Sequence, residues 1–96
     1  MVELTFSKHA VRKLKERTLD VNMVEKVLTE PNFIFYDLLA KTMIAIAEVK
    51  IANTSTNLVV PYVKENNKIK VITVYPCKDI NREIGRKEGV RWVKVR

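Results

Sequence analysis

The sequence predicts a single α+β domain in which a pair of helices packs on one face of a mostly antiparallel sheet. The first observation is the length, because 96 residues, 47% of them hydrophobic, suffice for one core and are too few for two. The second is that apolar residues have helical spacing in residues 8–30, and the third is that they alternate from residue 33 onward. We therefore expect one domain over residues 1–96 with the order β-α-α-β-β-β and a meander of four to five strands.

The first predicted strand and the two helices have clear boundaries. Val2–Phe6 alternates apolar and polar side chains, which is typical of a short strand. Ser7 and Asp20 are suited to cap helices, since their side-chain oxygens can accept the free N–H groups of a first helical turn. Pro31 should end the second helix, because proline cannot continue one. Only one or two residues separate the helices, so they are expected to pack as a hairpin.

Strand-like segments and their turns dominate the middle of the chain. The predicted strands are Phe33–Asp37, Thr42–Ala52, Leu58–Lys64 and Ile69–Tyr75. We expect a loop at Asn53–Asn57, where five polar residues follow one another. Asn66 and Asn67 predict a tight hairpin turn, because asparagine tolerates positive φ. Pro61 cannot donate a hydrogen bond to a neighbouring strand, so it should lie at a bulge or at an edge of the sheet.

Residues 78–96 form a basic C-terminal extension of the predicted domain. Asp79 is suited to cap a short helix over Ile80–Arg86. Gly89 then breaks the helical pattern, and Val90–Val95 alternates like a terminal strand. We expect this extension to leave the second face of the sheet open or to cover half of it.

Positive charge is concentrated in two blocks of the sequence. The formal net charge is +7. Residues 8–17 carry five positive side chains and one negative, and residues 78–96 carry seven positive and three negative, so each block contributes +4. Charges cancel in residues 18–77, and Glu3 supplies the remaining negative charge. If the fold brings the blocks together, they form one basic face suited to a polyanion; otherwise they solubilise two exposed faces.

Composition argues against metal, disulfide and membrane chemistry. One histidine, His9, and one cysteine, Cys77, are too few for a zinc site or an internal disulfide, and we expect no cofactor. A catalytic pair of these two residues is the alternative to a half-buried thiol at a strand end. Apolar runs are too short for a membrane span and no signal-peptide pattern opens the chain, so we expect a cytoplasmic location. The lack of glutamine is weakly typical of a thermophile.

Several short motifs resemble one known family. The motifs H-A-V-R-K-L-K-E-R, T-L-D and V-E-K-V-L-T-E-P occur in this order between residues 9 and 31, and V-I-T-V-Y occupies residues 71–75. Together, over residues 6–76, they resemble a small prokaryotic domain family of unknown function. That family is similar in fold to the RelE/ParE-type toxins of toxin-antitoxin pairs, many of which are ribonucleases acting on mRNA.

The resemblance implies a RelE-like fold and two kinds of partner. One is RNA or ribosome-bound mRNA, and the other is a small acidic antitoxin-like protein. Two residues depart from the pattern. Lys13 stands where arginine is expected and would lose a bidentate grip on phosphate, whereas Arg17 matches. Thr18 stands where glycine is common.

The more specific functional hypothesis is a metal-independent endoribonuclease. Such an enzyme needs a base for the ribose 2′-hydroxyl, cations for the charge that develops on the phosphate, and an acid for the leaving oxygen. His9 can serve as base or acid, Glu16 is an alternative base, and Tyr75 could supply the acid. The residues expected to contact nucleic acid are Arg12, Lys13, Arg17, Arg82, Arg86, Lys87, Arg91 and, by stacking on a base, Trp92.

Each of these assignments has a simpler alternative. By helical spacing His9 lies beside cations rather than in the core, as an ordinary surface histidine also would. Arg12 and Glu16 could form an i,i+4 ion pair on a solvated helix. Trp92 equally suits a strand that covers the core. A non-catalytic nucleic-acid-binding module and a protein-interaction module with an acidic partner therefore stay open beside the nuclease, and the sequence predicts no oligomeric state.

Overall fold

Three helices cover the two faces of one mixed sheet. The computed structural model describes residues 3–96. Its elements are β1 Glu3–Phe6, α1 Lys8–Glu16, α2 Val21–Thr29, β2 Phe33–Asp37, β3 Thr42–Ile51, β4 Thr54–Glu65, β5 Lys68–Val71, β6 Tyr75–Cys77, α3 Ile80–Lys87 and β7 Trp92–Lys94. The seven-stranded sheet has the order β1-β5-β4-β3-β2-β7, and β6 pairs with β4 beyond the end of β5. All neighbouring strands are antiparallel except β1 and β5.

The prediction of a RelE-like fold, with a two-helix hairpin on a four- to five-stranded meander, is therefore wrong. β1 lies at the edge of the sheet beside β5, although β5 follows it by more than sixty residues in the chain. The two strands pair in parallel. β7 adds a further strand outside β2 at the opposite edge. α3 forms a third layer on the face that was expected to be open or half covered. Periodicity reports which element a segment forms and carries no information about such distant pairings.

The sheet separates two cores, because successive side chains of a strand point to opposite faces. On β3, Ala45 and Ala47 face α1 and α2, whereas Ile44 and Ile46 face α3. β4 continues the pattern, with Leu58 on the face of α1 and α2 and Val59 on the face of α3. The small alanine side chains suit the close approach of α2, which packs over β3 and β4. The larger isoleucines fill the space under the shorter α3.

The helix caps predicted at Ser7, Asp20 and Asp79 are all confirmed. The Ser7 side chain accepts the Ala10 N–H at 3.0 Å and donates to the Ile72 carbonyl at 2.6 Å. That second bond ties the start of α1 to the segment between β5 and β6. The Asp20 side chain accepts the Asn22 N–H at 2.8 Å, and α2 ends at Thr29, before the proline. The start of the predicted first strand, Val2, lies outside the described residues.

Two strand boundaries differ from the prediction. The expected loop at Asn53–Asn57 is wrong, because β4 already begins at Thr54 and only Ala52 and Asn53 form the turn. Their φ values of 50° and 64° are those of a two-residue hairpin turn. The polar residues that follow pair with β3, where threonine is a good strand former; Thr54 and Ser55 are exposed, whereas Thr56 is buried. The turn predicted after Glu65 is confirmed, with φ 54° at Asn66.

The predicted strand Ile69–Tyr75 is divided into β5 and β6, and Pro61 lies opposite the break. Residues 72–74 are not in a strand. The Pro61 carbonyl accepts the Ile72 N–H at 2.9 Å. The side of Pro61 that has no N–H to donate therefore faces the break at residues 72–74. β4 is an inner strand, and the break in its partner removes the need for the bulge or edge position that we expected.

α1 ends in a Schellman motif that contains a strained residue. The Leu19 N–H donates to the Leu14 carbonyl at 2.8 Å, and the Thr18 N–H donates to the Lys15 carbonyl at 3.3 Å. Leu19 also packs against the buried Leu14 cluster, as this motif favours. Thr18 occupies the left-handed position with φ 53°, which a β-branched residue rarely adopts. This geometry explains why glycine suits the position.

We expect Thr18→Gly to stabilise the protein by about 0.5–1 kcal/mol. Glycine removes the clash of a Cβ atom in the left-handed region, and its extra freedom in the unfolded chain offsets part of the gain. Urea denaturation of both proteins measures the difference in the free energy of unfolding. Thr18→Ala is the matched control, because it keeps Cβ and should recover less than half of the gain. A glycine variant no more stable than the wild type would contradict the strain.

Candidate nucleic-acid interface

The exposed face of α1 is a compact cationic surface. Ala10 and Leu14 are buried in the core, so the opposite side of the helix, centred on Arg12, points to solvent. His9 is exposed on this side, as the helical spacing predicted. The Arg12 guanidinium lies 3.3 Å from His9 Nδ1, which places an imidazole ring and a planar cation side by side. We call the exposed Lys8, His9, Arg12, Lys15 and Arg17 the α1 basic face.

No side chain of the α1 basic face forms an ion pair with a carboxylate of residues 3–96. Within residues 3–96 the ion pairs are Lys13–Glu16, Glu83–Arg86 and Asp37–Arg91. The alternative Arg12–Glu16 pair does not form; Glu16 instead lies 3.8 Å from the Lys13 ammonium. Arg12 and its basic neighbours on this face are therefore available to an external anion. Lys13 is half-buried and already paired, which weakens the case for it as a phosphate contact.

The structure places the two basic blocks on opposite faces of the sheet. α1 packs on the face of Leu58, whereas α3 and Trp92 pack on the face of Val59, the next residue of β4. The single basic face that we considered from the sequence does not form. The nucleic-acid contacts proposed in residues 78–96 would therefore constitute a separate surface.

The three predicted catalytic residues do not meet. Tyr75 packs against the core under α3, on the other face of the sheet from His9. Burial, followed by the nearby Glu83 carboxylate, raises the pKa of the Tyr75 phenol to about 12. Glu16 lies on the same helix as His9 but seven residues further, which is about 10 Å along the axis. No arrangement of base and acid around one phosphate results.

Two residues of the second basic block, Arg91 and Trp92, belong to a charge cluster that the sequence did not reveal. Asp37, at the end of β2, is 4% exposed. The Arg91 guanidinium binds its carboxylate with two hydrogen bonds of 3.1 and 2.8 Å, and the Trp92 indole N–H donates to it at 3.2 Å. The backbone N–H groups of Leu39 and Ala40 donate at 3.0 Å each. We call these side chains, Asp37, Arg91 and Trp92, the Asp37 cluster.

The Asp37 cluster changes the roles proposed for Arg91 and Trp92. Trp92 is 2% exposed, so it fills the core and cannot stack on a base. Arg91 uses its guanidinium fork to neutralise a buried carboxylate. Burial alone would raise the pKa of Asp37, but the hydrogen bonds from Arg91, the turn N–H groups and Trp92 outweigh it and leave that pKa lowered. The sequence signal available was an aspartate at a strand end; its partner lies 54 residues away.

The remaining predicted contacts on α3 differ in exposure. Arg82 and Arg86 are exposed, and Arg86 lies 3.9 Å from Glu83. Lys87 is half-buried, with its ammonium 5.3 Å from the centre of the Trp92 ring. That geometry is a cation–π contact. Only the two arginines are therefore placed like the residues of the α1 basic face.

Other chemistry finds little support in the described part of the chain. Cys77 is a half-buried thiol in β6, and burial followed by Glu83 raises its pKa, which disfavours the reactive thiolate. It lies on the face opposite His9, so the two cannot act as a pair. Among residues 3–96 no three histidine, cysteine or carboxylate side chains converge on a metal position. In the same range no helix has the length and apolar character that a membrane crossing requires.

The fold and the site define the protein as a small basic α+β domain with a cationic helix exposed on one face. The chain belongs to the family described as Domain of unknown function (DUF4258), whose model matches residues 6–76. This confirms the prediction of a domain family of unknown function over the same residues. No curated protein and no solved structure matches the chain significantly. These comparisons provide no link to the RelE/ParE superfamily.

Proposed function

We propose that the protein binds nucleic acid, with single-stranded RNA as the expected ligand, through the α1 basic face. The observation that carries the proposal is the group of exposed cations on α1 that form no ion pair within residues 3–96. Unpaired lysine and arginine side chains attract a polyanion, and release of its counterions supplies much of the binding free energy. If these charges only solubilised the helix, no polyanion would bind to them.

The pairing of His9 and Arg12 supports RNA with unpaired bases as the ligand. Proteins that recognise such RNA stack its bases on aromatic rings and on arginine guanidinium planes. Arg12 Nη2 lies 3.3 Å from His9 Nδ1, and both side chains are exposed. An aromatic ring and a guanidinium plane therefore lie together next to the other cations of this face. Lys8 at the start of α1 and Arg17 just after its end would contact the flanking phosphates.

The proposal is binding without cleavage. Metal-independent cleavage needs an acid and a base close to the same phosphate. His9 has Arg12 as its neighbour, whereas Tyr75 is on the other face and Glu16 is paired with Lys13. A toxin activity of the RelE/ParE type and an antitoxin-like partner would be additions to this proposal, and nothing in the geometry requires them.

The proposal is tested by titrating a fluorescent single-stranded RNA with wild-type protein and with Arg12→Ala/Lys15→Ala. We expect the variant to bind about tenfold more weakly at low salt, because two phosphate contacts are lost. The dependence of log K on log salt concentration should become shallower by about 1.4, or about 0.7 for each contact to a single strand. Fluorescence anisotropy at three salt concentrations gives both quantities.

The matched control is Lys26→Ala/Lys50→Ala, which removes the same charge from exposed positions of α2 and β3. It should retain wild-type affinity within about twofold. Equal weakening by both variants would reduce the effect to net charge and contradict a specific face. Absence of salt-sensitive binding would contradict the function itself and favour an acidic protein partner. RNA cleavage in EDTA that is lost in His9→Ala would contradict binding without catalysis.

A further inference from the structure

The outer edge of β1 carries backbone groups that nothing in the described chain satisfies. The N–H groups of Glu3 and Ser7 donate to carbonyl groups of the β5 side at 2.7 and 2.9 Å. Since alternate residues of a strand bond to the same neighbour, the N–H and C=O groups of Leu4 and Phe6 point away from β5. Within residues 3–96 no other strand pairs with β1, and no turn or cap bonds to these groups. The edge is therefore ready to accept a further strand.

The opposite edge of the sheet, formed by β7, is less suited to this. The Gly89 N–H donates to the Trp92 carbonyl at 3.2 Å, so the loop before β7 covers the start of that edge. The N–H groups of Val95 and Arg96 bond to β2. Lys94 is left facing outward, and a second copy paired there about a twofold axis would bring two ammonium groups together, which is unfavourable. β1 is therefore the edge open to a strand of the same chain.

β1 is complementary to a second copy of itself about a twofold axis through Thr5. In this antiparallel register Leu4 of each copy lies opposite Phe6 of the other, so the outward N–H and C=O groups of the two strands bond to one another. Leu4 and Phe6 pack on the core at the α1 and α2 face, where an aliphatic and an aromatic side chain across two strands attract each other. On the other face the two Thr5 side chains meet, which is also a favourable cross-strand pair.

Charge at the ends of the same register is complementary as well. Glu3 is exposed and forms no ion pair within residues 3–96. The register places it opposite Ser7 of the second copy, which is the residue that caps α1. The first turn of α1 begins with Lys8 and contains no acidic residue, so this carboxylate would meet a cation and the positive end of the helix dipole. No two like charges face each other along the paired segment.

We propose that two copies of this chain associate through β1 and form one continuous sheet across a twofold axis. A strand of any other protein would satisfy the free backbone groups alone. The Thr5 pair, the contacts of Leu4 with Phe6 and the position of Glu3 beside α1 arise only when this sequence meets itself. The inference does not rest on RNA binding by α1, because the association needs no ligand.

The test is sedimentation equilibrium of the full chain without RNA, in about 0.3 M salt to screen the repulsion between two chains of charge +7. We expect the wild type to dimerise, and Thr5→Glu and Thr5→Lys each to weaken the dimer about tenfold, because like charges then meet on the axis. An equal mixture of these two variants should restore the dimer, since the introduced carboxylate faces the introduced ammonium. Thr5→Gln, similar in size to Thr5→Glu and uncharged, is the matched control and should dimerise like the wild type.

The Thr5 variants should all fold, because this side chain belongs to neither core and lies beside the exposed Lys70 of β5; thermal unfolding checks this. Lys94→Glu changes the charge of the β7 edge and should leave the dimer intact. A wild type that stays monomeric up to about 1 mM overturns the proposal and leaves the β1 edge to a strand of another protein. A dimer that Thr5→Glu does not weaken, or that the mixture of charged variants does not restore, overturns the twofold register through Thr5.

Discussion

Replacing Arg91 with alanine is expected to destabilise the protein by about 2–4 kcal/mol. The substitution leaves the Asp37 carboxylate, 4% exposed, without its cation and without two of its hydrogen bonds. Loss of one partner from a fully buried ion pair costs about 3–5 kcal/mol, and the 30% exposure of the Arg91 side chain reduces that figure. In a domain of this size such a loss lowers Tm by more than about 10 °C. Urea and thermal denaturation measure both.

A double-mutant cycle separates the ion pair from simple loss of packing. Asp37→Ala and Arg91→Ala should each be destabilising, while the double variant should be markedly less unstable than the sum, because it no longer buries a lone charge. Asp37→Ala also frees two turn N–H groups, so this single variant should be the less stable of the two. Additive effects within about 0.5 kcal/mol would show that the two side chains are not coupled and would contradict the account of the cluster.

Acid should weaken the wild-type protein more steeply than it weakens Asp37→Asn. The pKa of Asp37 is lowered in the folded protein, so below its ordinary value of 3.8 the unfolded chain binds a proton more readily than the folded one. The free energy of unfolding therefore rises with pH in that range. The contribution of Asp37 is fully present above about pH 4 and is lost as the pH falls through the folded value.

Asparagine at position 37 has no charge to titrate, so this pH-dependent contribution should be missing from Asp37→Asn. The variant is expected to be less stable at pH 7, and the difference from wild type should narrow steadily below pH 4. Urea denaturation at half-unit steps between pH 2.5 and 7 provides the comparison. The other carboxylates titrate in both proteins and cancel in the difference. A difference that is constant with pH would mean that Asp37 is not held by charge in the fold.

Local features of this chain were readable from the sequence. Ser7 and Asp20 cap their helices because a short polar side chain before an apolar stripe has one favourable conformation. The strand Phe33–Asp37 and the turn at Asn66 were also correctly located. In each case the determinant lies within a few residues of its effect. The exposure of His9 follows from the same local rule, since helical spacing alone placed it away from the core.

Features that depend on distant partners were not readable. The parallel pairing of β1 with β5 and the addition of β7 outside β2 join segments about 60 residues apart. Trp92 illustrates the consequence, because alternation suited both an exposed stacking residue and a core residue until its strand was placed under α3. Arg91 has the sequence pattern of a free cation, because its partner Asp37 lies 54 residues earlier in the chain. The separation of the two basic blocks onto opposite faces has the same origin.

The central claim, that RNA binds the α1 basic face, is tested most directly by following backbone amide signals in two-dimensional NMR during an RNA titration. A single-stranded RNA with a 5′-hydroxyl is used, so that the ligand carries no terminal phosphate. We predict that the largest chemical-shift changes occur in Lys8–Glu16 and in the adjoining turn at Thr18. Changes confined to α3 and β7, or no changes at concentrations where the protein is saturated with RNA by anisotropy, would contradict the claim.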